Sequence, residues 1–333
     1  MPAPKLKEPS AYGQVSSKLE LLPTGSTLLD CALGGGYPLG RVINIVGDKS
    51  TAKTLLAIEA CANFASRYSS GDIYYCETEA AFDMGYAEVL GMPIDRVNFV
   101  DEVSTVEDFF ESLSKLLEGR SPSKPGLLIL DSFDALSDRA EAARGIDEGS
   151  YGAQKAKKMS ELFRRLTKKI EQHRVLLIIV SQIRDNINAT FGKRYTRSGG
   201  RALDFYASQI IYLAHIKTIR RTISKIDRAV GVVIKAKVEK NKVGPPFREA
   251  EFSVKFGFGI DDAASCVEFL QKTGAIDDVL YFQNARSLGA RLSTLDKEDD
   301  ETYYRVGKQL RVTTKRLWRD IEDKFTPTRR KYV

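Results

Sequence analysis

The sequence predicts an α/β fold: a mostly parallel, doubly wound sheet extended by antiparallel strands, followed by a small C-terminal helical or α+β domain. Three observations carry this. Short apolar runs (RVINIVG, DIYYCET, VNFVDE, GLLILDS and VLLIIVSQ) alternate with stretches of helical periodicity, the pattern of βαβ units. GLLILDS and VLLIIVSQ are apolar at nearly every position, as strands covered on both faces must be. After Gly200 the helical pattern thins out and the runs alternate polar with apolar, which marks antiparallel or mixed strands on the same sheet.

Taken in order, residues 1–20 are polar, contain Pro2, Pro4 and Pro9, and read as an N-terminal arm. RVINIVG is the first core strand, and residues 53–66 form a helix with Leu56, Ala60 and Phe64 on one face. DIYYCET is the second strand. AEVLGM closes a helix before the third strand, VNFVDE. Residues 106–117 are an amphipathic helix expected to bury Phe109, Phe110, Leu113, Leu116 and Leu117. GLLILDS follows, then a basic helix with the apolar stripe Met159, Leu162, Phe163, Leu166 and Ile170, then VLLIIVSQ. ASQIIYLAHI, GVVIKAKVEKN and REAEFSVKF extend the sheet. A composition change at 259–262 marks a boundary, beyond which CVEFLQKTGAI and TYYRVGKQLRVTTKRLWRDIEDKF are helical and TRRKYV is a basic end. The organisation expected is an arm (1–20), a core (21–262) and a small C-terminal domain (263–333).

Composition excludes several classes. With 333 residues, 43% hydrophobic and only 11 prolines, the chain has ample apolar surface to bury and is not disordered. No apolar run approaches the roughly 20 residues of a membrane span, and MPAPKLKEPSAYGQ lacks the apolar segment of a secretion signal. Four cysteines, Cys31, Cys61, Cys76 and Cys266, fall at no metal-ligand spacing, which points to reduced, mostly buried thiols in a cytoplasmic protein. The net charge of +7 is informative only when resolved along the chain. Residues 72–150 hold 18 acidic and 6 basic side chains, whereas 155–174 hold 8 basic and 2 acidic, and 217–242 hold 9 and 2. Residues 185–201 add 4 basic against 1 acidic. The first basic run fits a solvated helix face as well as it fits a contact with nucleic acid.

The chemistry concentrates at Gly47-Asp48-Lys49-Ser50-Thr51-Ala52-Lys53-Thr54, directly after a strand and opening a helix. In that context successive backbone N–H groups wrap a phosphate, Lys53 reaches its outer oxygens and Thr54 offers a hydroxyl to Mg²⁺, so ATP and Mg²⁺ are the expected ligands. The glycine usual before the lysine is Ala52, whose Cβ restricts close backbone approach. Asp131 ends an apolar strand where an acid holds Mg²⁺ through water. Glu77 and Glu79 close the strand between, two residues apart, and either is placed to orient an attacking water.

These residues and the longer segments around them carry a resemblance. PTGSTLLDCALGGGYPLGRVINIVGDKSTAKT, ETEAAFD, LLILDSFDAL, SQIRDNINATFGKRYTRSGGRALDFYAS and KVEKNKVGPPFREAEFSVKFGFGID together resemble the RecA-like recombinases, especially phage-encoded ones, over about residues 20–262. The resemblance implies a RecA-like P-loop ATPase core that hydrolyses ATP in response to DNA and forms a homo-oligomeric filament on single-stranded DNA, pairing it with duplex. It further implies that Glu79 activates water and Tyr86 stacks on adenine. Asp131 is then the acid of the metal site, and Gln182 senses the γ-phosphate. Lys240 and Lys242 reach the ATP of a neighbouring subunit, and Phe205 lies at the subunit interface. Two DNA loops are implied, at 141–151 with Arg144 and at 186–200. The second combines Gly199 and Gly200 for mobility, Lys193, Arg194, Arg197 and Arg201 for phosphates, and Phe191 and Tyr195 for bases.

The sequence also departs from that family. The long N-terminal helix by which bacterial members dock is shortened or absent, so the arm before residue 20 is expected to replace it. Asp204 stands where many members have a basic residue, and the end of the chain is basic instead of acidic. Two rivals follow: a hexameric helicase-type motor forming closed rings, and a weakly hydrolysing mediator paralogue. Localisation is expected in the cytoplasm, at the nucleoid or, for a phage protein, in the host.

Overall fold

The computed structural model describes residues 19–80, 82–100, 102–143, 152–185, 195–197 and 200–329. A two-stranded antiparallel pair, Leu21–Leu22 with Tyr37–Pro38, brackets helix α1 (Thr27–Leu33), which Ser26 caps. The core follows as β1 (Val42–Gly47), α2 (Lys53–Arg67), β2 (Asp72–Glu77), α3 (Met84–Val89), β3 (Val97–Phe99), α4 (Val106–Glu118) and β4 (Gly126–Asp131). Then come α5 (Gly152–Gln172), β5 (Val175–Asp185), β6 (Tyr195–Arg197), α6 (Gly200–Tyr206), β7 (Gln209–Ile223), β8 (Ile226–Asn241), β9 (Glu249–Lys255) and β10 (Gly259–Asp261). Helices α7 (Asp262–Lys272), α8 (Leu288–Leu295) and α9 (Asp300–Phe325) complete the chain.

Strands β1 to β10 join one ten-stranded sheet in the order β10-β9-β8-β7-β1-β5-β4-β2-β3, with β6 paired to the end of β5. The six from β7 to β3 are mutually parallel. Strands β8, β9 and β10 add on antiparallel, as the alternating runs after Gly200 predict.

Period two sorts the strand residues between two apolar layers. On β4, Leu127 and Ile129 face the layer of α1 and α2, while Leu128 and Leu130 face α4 and α5. The expected stripes of α2 and α5 are buried. On α4, Phe109, Leu113 and Leu117 are buried, but Phe110 and Leu116 are only half-buried, because they sit at the margins of its apolar face. Capping fixes where α4 starts: Thr105 and Asp108 form a reciprocal capping box.

The basic face of α5 is matched by acids at three positions: Lys158 pairs with Glu107, Lys169 with Glu118 and Arg165 with Glu161. A third apolar cluster gathers Cys266, Val267, Leu270, Val279, Phe282, Leu295, Val306 and Leu310. Its helices are tied to the core by Asp262, which accepts from the N–H and hydroxyl of Thr27 (2.7 and 2.8 Å), and by a forked Arg248–Glu322 pair.

Candidate active site

The parallel strands deliver their C-terminal ends to one edge, in register. Gly47 lies beside Gln182 on one side and Leu213 on the other, and Glu77 lies beside Asp131. The loop from Gly47 to α2 turns sharply there. A Cβ on Gly47 would sit 2.4 Å from Thr51 Oγ1 and 3.0 Å from the Leu213 carbonyl, so only glycine fits. Thr51 donates to the Asp48 carbonyl at 2.7 Å, and Lys53 Nζ folds back to the same oxygen at 2.6 Å. Ser50 and Ala52 both adopt the left-handed region, with φ of 57° and 65°. Ala52 therefore holds the conformation that glycine would hold, and α2 starts directly after it.

Burial lowers the Lys53 ammonium pKa, and the charges of Asp131, Glu79, Asp48 and Asp134 act against that shift. Asp131 is buried and its carboxyl is pushed upward by desolvation. Hydrogen bonds from Tyr75 (2.8 Å) and Thr54, together with the charge of Lys53, oppose the rise. Thr54 and Asp131, proposed from sequence to hold Mg²⁺, are thus hydrogen-bonded to each other. Two oxygen donors beside a lysine at a helix start suit a hard cation and a phosphate chain, so the residues present fit Mg²⁺ and ATP.

The structure separates the two glutamates that the sequence left open. Glu77 accepts from the backbone N–H of Glu79 (2.9 Å) and of Ala80 (3.0 Å), and so acts as a clasp for the turn. Glu79 is exposed at the edge. It accepts from the Ser132 hydroxyl and from Gln182 Nε2 at 2.9 Å. Gln182 is itself anchored by its backbone N–H to Asp134 at 2.6 Å. Asn44, fully buried, ties β1 to β5 through the Ile179 carbonyl (3.0 Å) and Ser181 (2.8 Å). Lys53, Thr54, Asp131, Glu79 and Gln182 are in this way brought onto one connected edge.

Sequence reasoning missed Tyr75, Ser132 and Asp134. A buried tyrosine within DIYYCE must find a partner for its hydroxyl, and that requirement is the signal that was available. Ser132 and Asp134 carried no comparable signal, because their roles depend on how the chain turns after β4, where the Asp131–Ser132 peptide is cis.

The remaining residues lie around this edge. Tyr86 is half-exposed on α3, whose end approaches α2: a Cβ on Gly259 would meet both Leu55 and Leu90 at under 4 Å. Lys240 Nζ donates to the Asp204 and Phe205 carbonyls at 2.6 and 2.9 Å, capping α6, and Lys242 is exposed. Phe205 is 71% exposed, with Tyr206 edge-on behind it. Of the expected DNA contacts, Tyr195 and Arg197 lie on β6, paired with the end of β5, and Gly200 and Arg201 open α6. Arg144, Phe191, Lys193, Arg194 and Gly199 lie outside the described residues.

The chain is similar to known proteins over most of its length. The model of the RecA N-terminal domain matches residues 11–261. This chain belongs to that family. Protein RecA of Streptomyces ambofaciens is 36% identical over 264 residues, covering 77% of this chain and 68% of its own length. Protein RecA of Bacteroides thetaiotaomicron is 36% identical over 260 residues, covering 78% and 76%. Protein RecA of Synechococcus sp. strain CC9605 is 36% identical over 259 residues, covering 78% and 66%. The RecA family match ends at residue 261, the last residue of β10.

Proposed function

We propose that the protein is an ATP-dependent recombinase that assembles on single-stranded DNA, pairs it with homologous duplex and releases it on hydrolysis. The observation that carries this is the Gln182–Glu79 hydrogen bond. It joins the carboxylate best placed to activate water to strand β5, which runs on into residues 186–200, the segment expected to contact DNA. A change in how that segment is held is transmitted to Glu79 through one amide. Tyr86 is read as the adenine platform, Lys240 and Lys242 as cations presented to a neighbouring subunit, and Phe205 as an interface residue. The phage-type assignment rests on sequence resemblance alone.

The chemistry follows from the edge geometry. Backbone N–H groups from residues 48–53, at the start of α2, orient the phosphates, and Lys53 neutralises charge developing on the outer oxygens. Mg²⁺ supplies polarisation of the phosphate oxygens, and Thr54 and Asp131 would hold it. Glu79 accepts the proton of the attacking water while Ser132 and Gln182 fix its orientation. Glu77 cannot substitute, because its oxygens are committed to the turn.

A mediator with little turnover is the second reading, favoured by the strained Ala52. Joint-molecule formation between a labelled single strand and supercoiled duplex, with electron microscopy of the assemblies, tests the proposal. Helical filaments and ATP-dependent joint molecules are expected. Closed rings with no joint molecules would favour a motor, and DNA-bound protein without joint molecules a mediator.

A further inference from the structure

Strand β2 sets a tyrosine against the acid read as the metal ligand. Tyr75 pairs with Ile129 of β4 in parallel register, and Glu77 pairs with Asp131. Since side chains alternate along a strand, Tyr75 and Asp131 are diagonal neighbours on one face of the sheet, the face that packs on α1 and α2. A tyrosine is long enough to span that diagonal. Its side chain is fully buried and its hydroxyl donates to Asp131 Oδ2 at 2.8 Å. A phenylalanine would fill the same apolar space with no polar atom to satisfy, so packing alone does not account for the oxygen.

The ring is itself braced. Its centroid lies 4.8 Å from that of Phe82 and 6.0 Å from that of Phe99, and those two rings are 5.7 Å apart. Tilted rings at such spacings stabilise one another beyond the area they bury. Phe99 is the last residue of β3, and Phe82 precedes Asp83, which caps α3 by accepting the Tyr86 N–H at 2.9 Å. Three elements thus hold the ring that carries the hydroxyl. The second side chain bonded to Asp131, Thr54, belongs to the first turn of α2. Gripped by donors from β2 and α2, the carboxylate cannot turn about its Cβ–Cγ bond without breaking one of them.

We propose that Tyr75 is a positioning residue for Mg²⁺, fixing the plane of the Asp131 carboxylate in the orientation that serves the metal. The inference rests on reading this edge as an ATP and Mg²⁺ site, which the recombinase, motor and mediator readings share. Groups that hydrogen-bond to a metal's ligands hold them in place, and their loss typically weakens the metal ten- to a hundredfold. Tyr75 acts through Asp131 and not on the phosphates, which fall to Lys53 and the backbone N–H groups of residues 48–53. Its removal should therefore be felt in the metal-dependent part of nucleotide binding alone.

The test is the affinity of the full chain for a fluorescent ATP analogue, measured in EDTA and across a Mg²⁺ titration. Tyr75→Phe should bind the analogue in EDTA as the wild type does. The Mg²⁺ concentration giving half of the metal's enhancement should rise about tenfold. In an Asp131→Ala background the same substitution should move that midpoint less than about twofold, because no carboxylate remains to be oriented. An unchanged Mg²⁺ midpoint, with only a lower urea midpoint, would overturn the proposal and leave the tyrosine a packing residue. Equal losses in EDTA and in Mg²⁺ would overturn it in favour of a role in shaping the phosphate loop. A shift of about tenfold in the Asp131→Ala background would overturn it too, since Tyr75 would then act without Asp131. A wild type whose affinity Mg²⁺ leaves unchanged would sink the Mg²⁺ reading of the edge and this inference with it. Mg²⁺-enhanced binding without joint molecules would sink only the recombinase reading.

Discussion

Ala52 carries a conformational cost that the glycine of the phosphate-loop motif avoids. At φ 65° and ψ 24° its Cβ crowds the following carbonyl, a strain of about 1–2 kcal/mol. Ala52→Gly should raise the stability of the nucleotide-free protein by about 1 kcal/mol, read as a higher urea midpoint at unchanged slope. Tyr75 makes the opposite case. Its hydroxyl is the donor to a buried carboxylate at 2.8 Å, so Tyr75→Phe leaves that oxygen unsatisfied. The variant should lose about 1–3 kcal/mol by the same measurement. Glu77 and Glu79 were indistinguishable as strand-end acids; only the backbone fold of residues 78–80 decides which one is spent on the turn.

At the scale of elements, α1 carries a buried acid and α2 a half-buried one toward the C-terminal helices. Burial raises the Asp30 carboxyl to about 7 even though it accepts the Thr24 N–H at 2.8 Å, and burial likewise raises Glu59 to about 7 beside Ile260. A carboxyl raised in the fold binds more protons folded than unfolded. Its stabilising effect is complete below about pH 4 and is lost as pH climbs from about 4 to 7. Asp30→Asn removes that loss while keeping an acceptor. Its stability relative to wild type should be about 2–3 kcal/mol more favourable at pH 8 than at pH 5, measured by urea unfolding at both. An identical difference at the two pH values would contradict the burial of a titrating Asp30.

Most of these elements were legible in the chain. Strands β1 to β5 and helices α2, α4 and α5 announce themselves by period, and their bounds agree to within a few residues, whereas β7 runs seven residues beyond ASQIIYLAHI. Two parts were not. Helix α1 is a single short stretch whose signal is a serine cap, and KTIRRTISKIDRA carries charge on both faces, so it lacks the half-buried alternation by which strands are recognised. Residues 220–229 are set by their pairing with each other and not by a core.

For the whole molecule, the basic surplus resolves into two kinds of charge. On α5 three cations pair with acids of α4 and of the helix itself, whereas on the hairpin of residues 217–229 only Arg220 has an acidic partner among the described residues. The sequence of residues 193–201 adds four more basic residues, Lys193, Arg194, Arg197 and Arg201. Single-strand binding should therefore weaken steeply with salt, and replacing Arg194 and Arg197 with alanine should reduce the log–log slope by about 1.4, at roughly 0.7 per contact. An unchanged slope would place the single-strand contacts elsewhere.

The proposed recombinase rests on Glu79 activating water for ATP hydrolysis under the control of a DNA-contacting segment, through Gln182. Steady-state ATP turnover with and without single-stranded DNA tests it most directly, in the wild type, Glu79→Gln and Gln182→Ala. DNA-stimulated turnover is expected in the wild type, with a loss of about 10²–10⁴ in Glu79→Gln while nucleotide still binds. In Gln182→Ala, basal turnover should persist and DNA should no longer raise it. Wild-type turnover indifferent to DNA, or a Gln182→Ala variant stimulated as strongly as the wild type, would contradict it.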